Sequence, residues 1–236
     1  MDFTMLRQMC RRARLNVTSH DEFQEASVQT LFKTLRGTDS GHTTTSTLTA
    51  QELALFLAKG HEIDAPTYNA ILRYLISLGQ PWHPYNQVPP HPDRNWILPP
   101  RGSIPSQVVV EEKTYSCDLS HHGNSVIMFY NPQDANITYT GVIHTICQVP
   151  LHSALRTYFI VHLHQDLPPH FQVLSPYTLH TGFASKLVET SPSDYSLVIE
   201  PQHIITHLTT YKRPAGTFNI PRETLAICWA LNRGRK

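Results

Sequence analysis

The sequence predicts an α+β protein in which a small N-terminal helical bundle precedes an antiparallel β-barrel or β-sandwich. Three observations predict this class. Apolar residues recur at helical spacing up to residue 79, behind patterns that cap helix N-termini. Eight prolines then fall between residues 80 and 105, where they exclude a regular helix or a central strand. Short β-branched and aromatic segments follow, separated by Gly, Pro, Asn or Asp. We therefore expect a helical domain over 1–79, a proline-rich connector over 80–106 and a β-domain over 107–236.

Four helices are predicted in the first part. The first spans about 2–15, and the second spans about 22–35 behind the capping box Ser19–Glu22. A polar, glycine-containing loop over 36–48 separates them from the third helix, which opens at the capping box Thr49–Glu52. The fourth helix follows Asp64, carries Pro66 in its first turn and stops at Gly79.

The β-part consists of short segments whose strand order the sequence does not give. The segments are Val108–Val110, Thr114–Ser116, Ser125–Tyr130, Ile137–Cys147, Thr157–His164, Lys186–Val188 and Ser196–Ile199. The apolar run Thr224–Leu231 is interpreted as a last strand in preference to a short helix. The connector carries Trp82 and Trp96, so we expect it to pack across a domain surface and not to swing freely.

Composition limits the possible partners. The 19 Lys and Arg residues nearly balance the 18 Asp and Glu residues, which argues against a bulk polyanion binder. The four cysteines show no paired short spacing, so neither a zinc finger nor a redox dithiol is expected. No signal peptide or membrane-spanning segment is recognisable, which predicts an intracellular protein without a membrane partner.

The fifteen histidines raise the question of a metal site. Strand alternation would put His162 and His164 on one face, with a third ligand from Asp166, His170 or a neighbouring strand. The favoured interpretation is a polar, solvent-facing side of the strand, with Phe159, Val161 and Leu163 turned inward. We therefore predict no metal and no cofactor.

Other histidines are interpreted as structural. His203 and His207 would share a helix face, but a helix beginning after Pro201, with His207 near its far end, is the favoured alternative. His121 and His122 lie in a predicted turn, and no residue in the sequence pattern orients either of them as a base for Cys117. The common catalytic motifs are missing, so no catalytic residue is predicted.

Six segments carry a resemblance that covers most of the chain. They are Met1–Ala13, Thr49–Leu57, Tyr68–Leu75, Gly123–Ile127, Tyr139–Ile146 and Val198–His207. In this order they resemble the region downstream of the catalytic domain in transposase-like proteins encoded by fungal transposons. The acidic residues of a transposase catalytic core are not recognisable, so the resemblance implies an accessory part without strand-transfer activity.

The β-part also resembles a bromo-adjacent homology (BAH) domain, a chromatin-associated β-fold. In that comparison Tyr139–Ile143 would be the strand that follows the first turn, and Tyr158–Val161 would be its partner strand. Val198–Pro201, with Ile204 and Ile205, would close the domain. The resemblance implies a BAH-like barrel in a nuclear protein.

Together these observations predict a non-catalytic recognition module for a chromatin peptide, a partner protein or DNA. The expected binding residues are Tyr115, Tyr139, Tyr158, His162 and His164. Weak, sequence-indifferent DNA contact would run through Arg11, Arg12, Arg14, Arg233, Arg235 and Lys236. The alternatives are a metal-dependent enzyme using His162 and His164, and a structural domain that mediates self-association.

Overall fold

The structure is a computed structural model that describes residues 49–87, 92–152, 154–179 and 185–229. Every element below lies within residues 49–229. The helices predicted over 2–15 and 22–35 and the loop predicted over 36–48 precede these elements in the sequence. All three predictions lie outside the described residues.

Two predicted helices form where their capping residues indicate. Helix α1 (Ala50–Lys59) begins at the capping box, in which the Glu52 amide donates to Thr49 Oγ1 at 3.3 Å and the Thr49 amide donates to Glu52 Oε2 at 2.8 Å. Helix α2 (Ala65–Ser77) begins at Asp64, whose Oδ1 accepts from the Thr67 amide at 2.9 Å. Gly79, with φ +75°, follows its end. Neither these nor the other helices in the described ranges are long and apolar enough to span a membrane.

The β-part is a closed antiparallel barrel, as the sequence predicts. Two small hairpin-like pairs precede it: β1 (His61–Glu62) with β2 (Arg101–Gly102), and β3 (Gln107–Val110) with β4 (Lys113–Ser116). The barrel strands are β5 (Val126–Asn131), β6 (Asp134–Leu151), β7 (Ala154–Asp166), β8 (Ser185–Ile199), β9 (Ile204–Arg213) and β10 (Thr224–Trp229). They run in the order β10-β8-β7-β6-β5-β9, and the barrel closes because β9 also pairs with β10. The prediction that the last apolar run is a strand is therefore confirmed.

Short helical turns connect the strands. Helices α3 (Pro169–Gln172) and α4 (Pro176–Leu179) lie between β7 and β8. Single 3₁₀ turns occur at Arg94–Trp96, His122–Asn124, Pro201–His203 and Thr217–Asn219. The segments predicted as separate strands around Lys186 and Ser196 form one strand, β8, with an irregular register opposite His162 and His164.

Helix α2 packs on the barrel, and the described residues do not form a separate helical bundle around it. Its buried Ile71 and Leu75 belong to one apolar cluster with Val149 of β6 and Tyr158 of β7. Within the described residues, the helix that was assigned to a domain over 1–79 thus shares its core with the β-domain. The 3.6-residue periodicity identifies the buried face of a helix, but it does not identify what covers that face.

The proline-rich connector packs across α2 and the barrel, as its apolar content predicts. Trp82 is 4% exposed and lies in the same cluster as α2. The Tyr68 hydroxyl donates to the Leu98 carbonyl at 2.9 Å and accepts from the Tyr85 amide at 3.1 Å, so one side chain of α2 bonds to the connector at two points.

Candidate functional site

The two histidines proposed as a metal pair occupy different environments. His164 is 9% exposed, and neither of its ring nitrogens has a hydrogen-bond partner among the described residues. His162 is half-buried, and its ring stacks on that of His144 of β6, with centroids 4.5 Å apart and planes 20° apart. The prediction of a solvent-facing side is therefore wrong for His164, which is buried although His162, two residues earlier in the same strand, is half-exposed.

Burial keeps both imidazoles neutral near pH 7. Desolvation lowers the pKa of His164 to about 4, and the nearby charges of Lys186 and His122 act in the same direction. A polar contact with the Thr140 backbone, outside hydrogen-bond geometry, and the charge of Asp166 act in the opposite direction without reversing the shift. Desolvation and His144 also lower the pKa of His162. A neutral imidazole can accept a hydrogen bond or ligate a metal.

The described residues supply no third metal ligand beside this pair. They contain no group of three His, Cys, Asp or Glu side chains arranged to hold a metal ion. Asp166, one expected third ligand, pairs with Lys186 at 3.1 Å. His170, another expected ligand, packs against Phe171 with ring centroids 4.1 Å apart and ring planes tilted by 51°. Metal binding by His162 and His164 would therefore need a ligand from elsewhere.

A hydrogen-bonded array at the predicted turn was missed by sequence reasoning. His122 Nδ1 bonds to Asp118 Oδ1, and His122 Nε2 lies 3.3 Å from Thr210 Oγ1 of β9. Ser125 Oγ lies 3.4 Å from the same Asp118 oxygen and donates to the His122 carbonyl at 2.9 Å. The spacing of four residues between Asp118 and His122 was the available signal, but Thr210 is 88 residues away from His122 in sequence.

The array has the order of an orienting carboxylate, a base and a hydroxyl. A proton on Nδ1 would be held by Asp118, which leaves Nε2 free to accept from Thr210. However, the side chains of His122 and Asp118 are 57% and 43% exposed. Charge that develops in open water receives little stabilisation from the protein, so this geometry orients the imidazole without providing an enclosed reaction site.

Cys117, the nucleophile considered for these histidines, is not part of the array. Its Sγ lies 3.7 Å from the Pro105 carbonyl oxygen, and burial raises its pKa. The side chain is therefore a protonated thiol at neutral pH and a weak nucleophile.

His203 and His207 do not share a helix. Pro201–His203 is a single 3₁₀ turn that leads directly into β9, so the predicted helix after Pro201 is wrong. His203 Nδ1 lies 3.2 Å from the Glu200 amide. His207 stacks on Tyr115, with centroids 4.5 Å apart, and burial lowers its pKa. β-Branched Ile204, Ile205 and Thr206 favour strand over helix here.

The predicted binding tyrosines lie mainly in the core. Tyr158 is fully buried and packs on Tyr74 of α2, with ring centroids 6.0 Å apart. Tyr115 is 5% exposed, and half-buried Tyr139 packs beside Phe129. Their side chains support the barrel in this conformation, so the exposed part of the predicted set is reduced to His162 and part of Tyr139.

Three rings form a surface cluster that we call the aromatic corner: Trp82, Trp96 and His152. The two tryptophan rings meet edge to face at 5.4 Å. The exposed His152 ring lies 4.8 Å from Trp82 and 4.7 Å from Trp96. His152 directly follows β6 and has φ +47°, a left-handed conformation that costs a non-glycine residue about 1 kcal/mol or more. The sequence indicates the packed tryptophans but not the histidine that meets them.

The basic residues predicted to contact DNA all lie outside the described residues. They are Arg11, Arg12, Arg14, Arg233, Arg235 and Lys236. Over the whole chain, 19 Lys and Arg residues nearly balance 18 Asp and Glu residues, so net charge selects neither a cationic nor a polyanionic partner.

No protein-family model, curated protein or solved structure matches the chain. The resemblances to transposase-like proteins and to BAH domains thus stay predictions. The geometry of the sites described above is the basis for a functional proposal.

Proposed function

We propose that this chain is a non-catalytic recognition module that binds a cationic segment of a partner protein at the aromatic corner. The observation that carries the proposal is His152, an exposed ring held at positive φ against two tryptophans. Backbone strain of this kind persists where surrounding contacts maintain it, and it concentrates at binding sites. Tryptophan rings supply large contact areas at low entropic cost, which is typical of binding hot spots.

A lysine or arginine side chain suits this corner. The faces of tryptophan rings attract cations, at about 0.5–2 kcal/mol per contact. The chain has a net charge of only +1, so it carries no strong positive field that would favour DNA over a cationic peptide. Trp96 is half-buried and His152 is exposed, so these two rings can be reached without unfolding the core around Trp82.

The non-catalytic part of the proposal rests on the exposed Asp118–His122–Thr210 array and on the absence of a three-ligand metal group among the described residues. An enzyme would need an enclosed site with preorganised charge. The metal-dependent alternative with His162 and His164 is retained as the competing hypothesis.

The finer assignment is to a BAH-like barrel in a nuclear, transposase-associated protein that recognises a chromatin peptide. Tyr139–Ile143 and Tyr158–Val161, the segments that carry the BAH resemblance, lie in the neighbouring strands β6 and β7. Lysine-rich histone tails have the cationic chemistry that the aromatic corner suits. Both considerations support the assignment.

Peptide arrays of histone tails, followed by fluorescence anisotropy, would test the proposal. We expect binding to lysine-bearing peptides, with affinity about 2- to 30-fold lower for Trp96→Ala and for His152→Ala. Tyr195→Ala removes another exposed ring, 62% exposed in β8, and serves as the matched control that binds like the native chain. Equal affinity of Trp96→Ala and the native chain would refute the aromatic corner. Tight DNA binding in a gel-shift assay, together with no binding to any peptide of the array, would refute the choice of partner.

A further inference from the structure

Arg213, at the end of β9, is held firmly without an acidic partner. Its guanidinium lies 4.7 Å from the ring of Tyr211 and 5.8 Å from that of Phe218. Nη2 lies 3.3 Å from the Tyr177 hydroxyl oxygen and donates to it. Three aromatic residues therefore fix the orientation of this cation before any ligand arrives.

Two other arginines of the described residues have an acidic partner, which Arg213 lacks. Arg156 pairs with Glu200 at 3.4 Å, and Arg222 pairs with Glu189 at 3.0 Å. Among the described residues, no carboxylate forms an ion pair with Arg213. Its Nε is buried without a hydrogen-bond partner in that part of the chain, an unfavourable state for a charged donor.

A strained turn places one of the rings. Gly216, Phe218 and Asn219 have φ values of +88°, +57° and +60°. Glycine adopts such values freely and asparagine adopts them more readily than most residues, so the conformational cost falls mainly on Phe218. In this conformation the Phe218 ring lies against Tyr177 and beside the Arg213 guanidinium.

We infer that Arg213 is a docking point for a carboxylate of a partner chain, with Tyr211, Tyr177 and Phe218 orienting its guanidinium. A planar guanidinium fork matches the two oxygens of a carboxylate. The nearby Lys212 and Arg222 are already neutralised by Glu223 and Glu189, which leaves one unbalanced positive charge. A single carboxylate matches that charge better than a doubly charged phosphate does. This site lies on other elements than the aromatic corner, so it goes beyond the proposed function and does not depend on it.

NMR of the full-length, ¹⁵N-labelled protein would test the site. The Nε–H signal of Arg213, identified by its loss in Arg213→Lys, is followed during titration with N-acetylglutamate amide. N-acetylglutamine amide is the uncharged control, and inorganic phosphate tests the alternative anion. We expect a saturable shift with the glutamate compound alone.

Two variants distinguish binding that needs the planar guanidinium group from binding that needs only a positive charge. Arg213→Lys keeps the charge but loses the planar fork, and we expect at least about tenfold weaker binding, followed through backbone amides of β9. Arg222→Lys is the matched control, since Arg222 also lies over a ring, that of Phe171 at 5.1 Å, but has its own carboxylate. It should bind like the native chain, and thermal unfolding checks that each variant is folded.

Three results would overturn the inference: no saturable shift with the glutamate compound, equal shifts with the glutamine compound, or undiminished binding in Arg213→Lys. Saturation by phosphate at a lower concentration than the glutamate compound would overturn the choice of carboxylate. None of these results affects peptide binding at Trp96 and His152, so the two proposals fail separately.

Discussion

Replacing His164 with leucine should make the protein more stable and less sensitive to acid. The imidazole is 9% exposed and both of its nitrogens lack partners among the described residues. Burial lowers its pKa to about 4 from an ordinary value of 6.5. As the pH falls below 6.5, the unfolded chain binds a proton at this residue while the folded chain does not. Stability is therefore lost as the pH falls from 6.5 towards 4.

The size of the effect follows from the two pKa values. The difference between about 4 and 6.5 corresponds to about 3 kcal/mol lost at full protonation, of which about 2 kcal/mol is lost by pH 5. Burial also lowers the pKa values of His162, His203 and His207, so these residues add a loss of the same sign. In His164→Leu the acid-induced loss of stability due to His162, His203 and His207 should persist, whereas the part due to His164 should disappear. Removal of two unpartnered polar atoms should also raise stability at pH 7 by about 1–2 kcal/mol.

Urea unfolding at pH 7.0 and pH 5.0 measures both quantities. Val109→Ala, which changes an exposed residue and no titratable group, is the control and should keep the native pH dependence. The reasoning fails if His164→Leu loses as much stability between the two pH values as the native chain does. It also fails if His164→Leu is less stable than the native chain at pH 7, because that would mean the imidazole has a favourable partner.

Three further predictions concern single residues. Tyr68→Phe should lower the unfolding free energy by about 1–2 kcal/mol, because it removes the hydroxyl that bonds to Leu98 and Tyr85. Tyr74→Phe should change the unfolding free energy by less than about 0.5 kcal/mol, because the buried Tyr74 hydroxyl has no partner among the described residues. Gly141→Ala should lower the free energy of unfolding in urea by about 2–3 kcal/mol, since the added methyl would lie 2.5 Å from the His162 carbonyl oxygen. Gly123→Ala should lower it less, because the closest atom, at 3.1 Å, belongs to the His121 ring, which can move. Metal analysis of dialysed protein should give substoichiometric values, whereas stoichiometric metal that disappears in the His162→Ala, His164→Ala double variant would support the metal-dependent enzyme.

The described elements show which sequence signals carry structural information. Capping residues located α1 and α2, because a cap satisfies backbone groups within one turn of its own position. Alternating β-branched segments indicated the strands and the barrel class for the same local reason. Strand order was not predictable, since the pairing of β9 with both β5 and β10 depends on contacts distant in sequence.

The candidate sites were less predictable because each joins distant residues. Asp118 and His122 are four residues apart, but Thr210 comes from β9. His152 contacts Trp82 and Trp96 only because the turn between β6 and β7 lies against the connector. The prediction for His164 failed for a related reason: alternation tells which residues share a face, whereas packing against residues distant in sequence decides whether a position on that face is exposed.

Packing on both sides of the sheet explains why neither proposed contact site lies in the middle of β7. Tyr158 and Ile160 belong to the apolar cluster with α2, and Phe159 and Val161 belong to a second apolar cluster, so all four consecutive residues are buried. Segments that leave the strands are more accessible to a partner. His152 directly follows β6, and Arg213 is the last residue of β9. Positive φ values occur at His152, at Phe218 and Asn219 beside Arg213, and also at Glu111 and Glu112 between β3 and β4, whereas no described residue within the barrel strands has one.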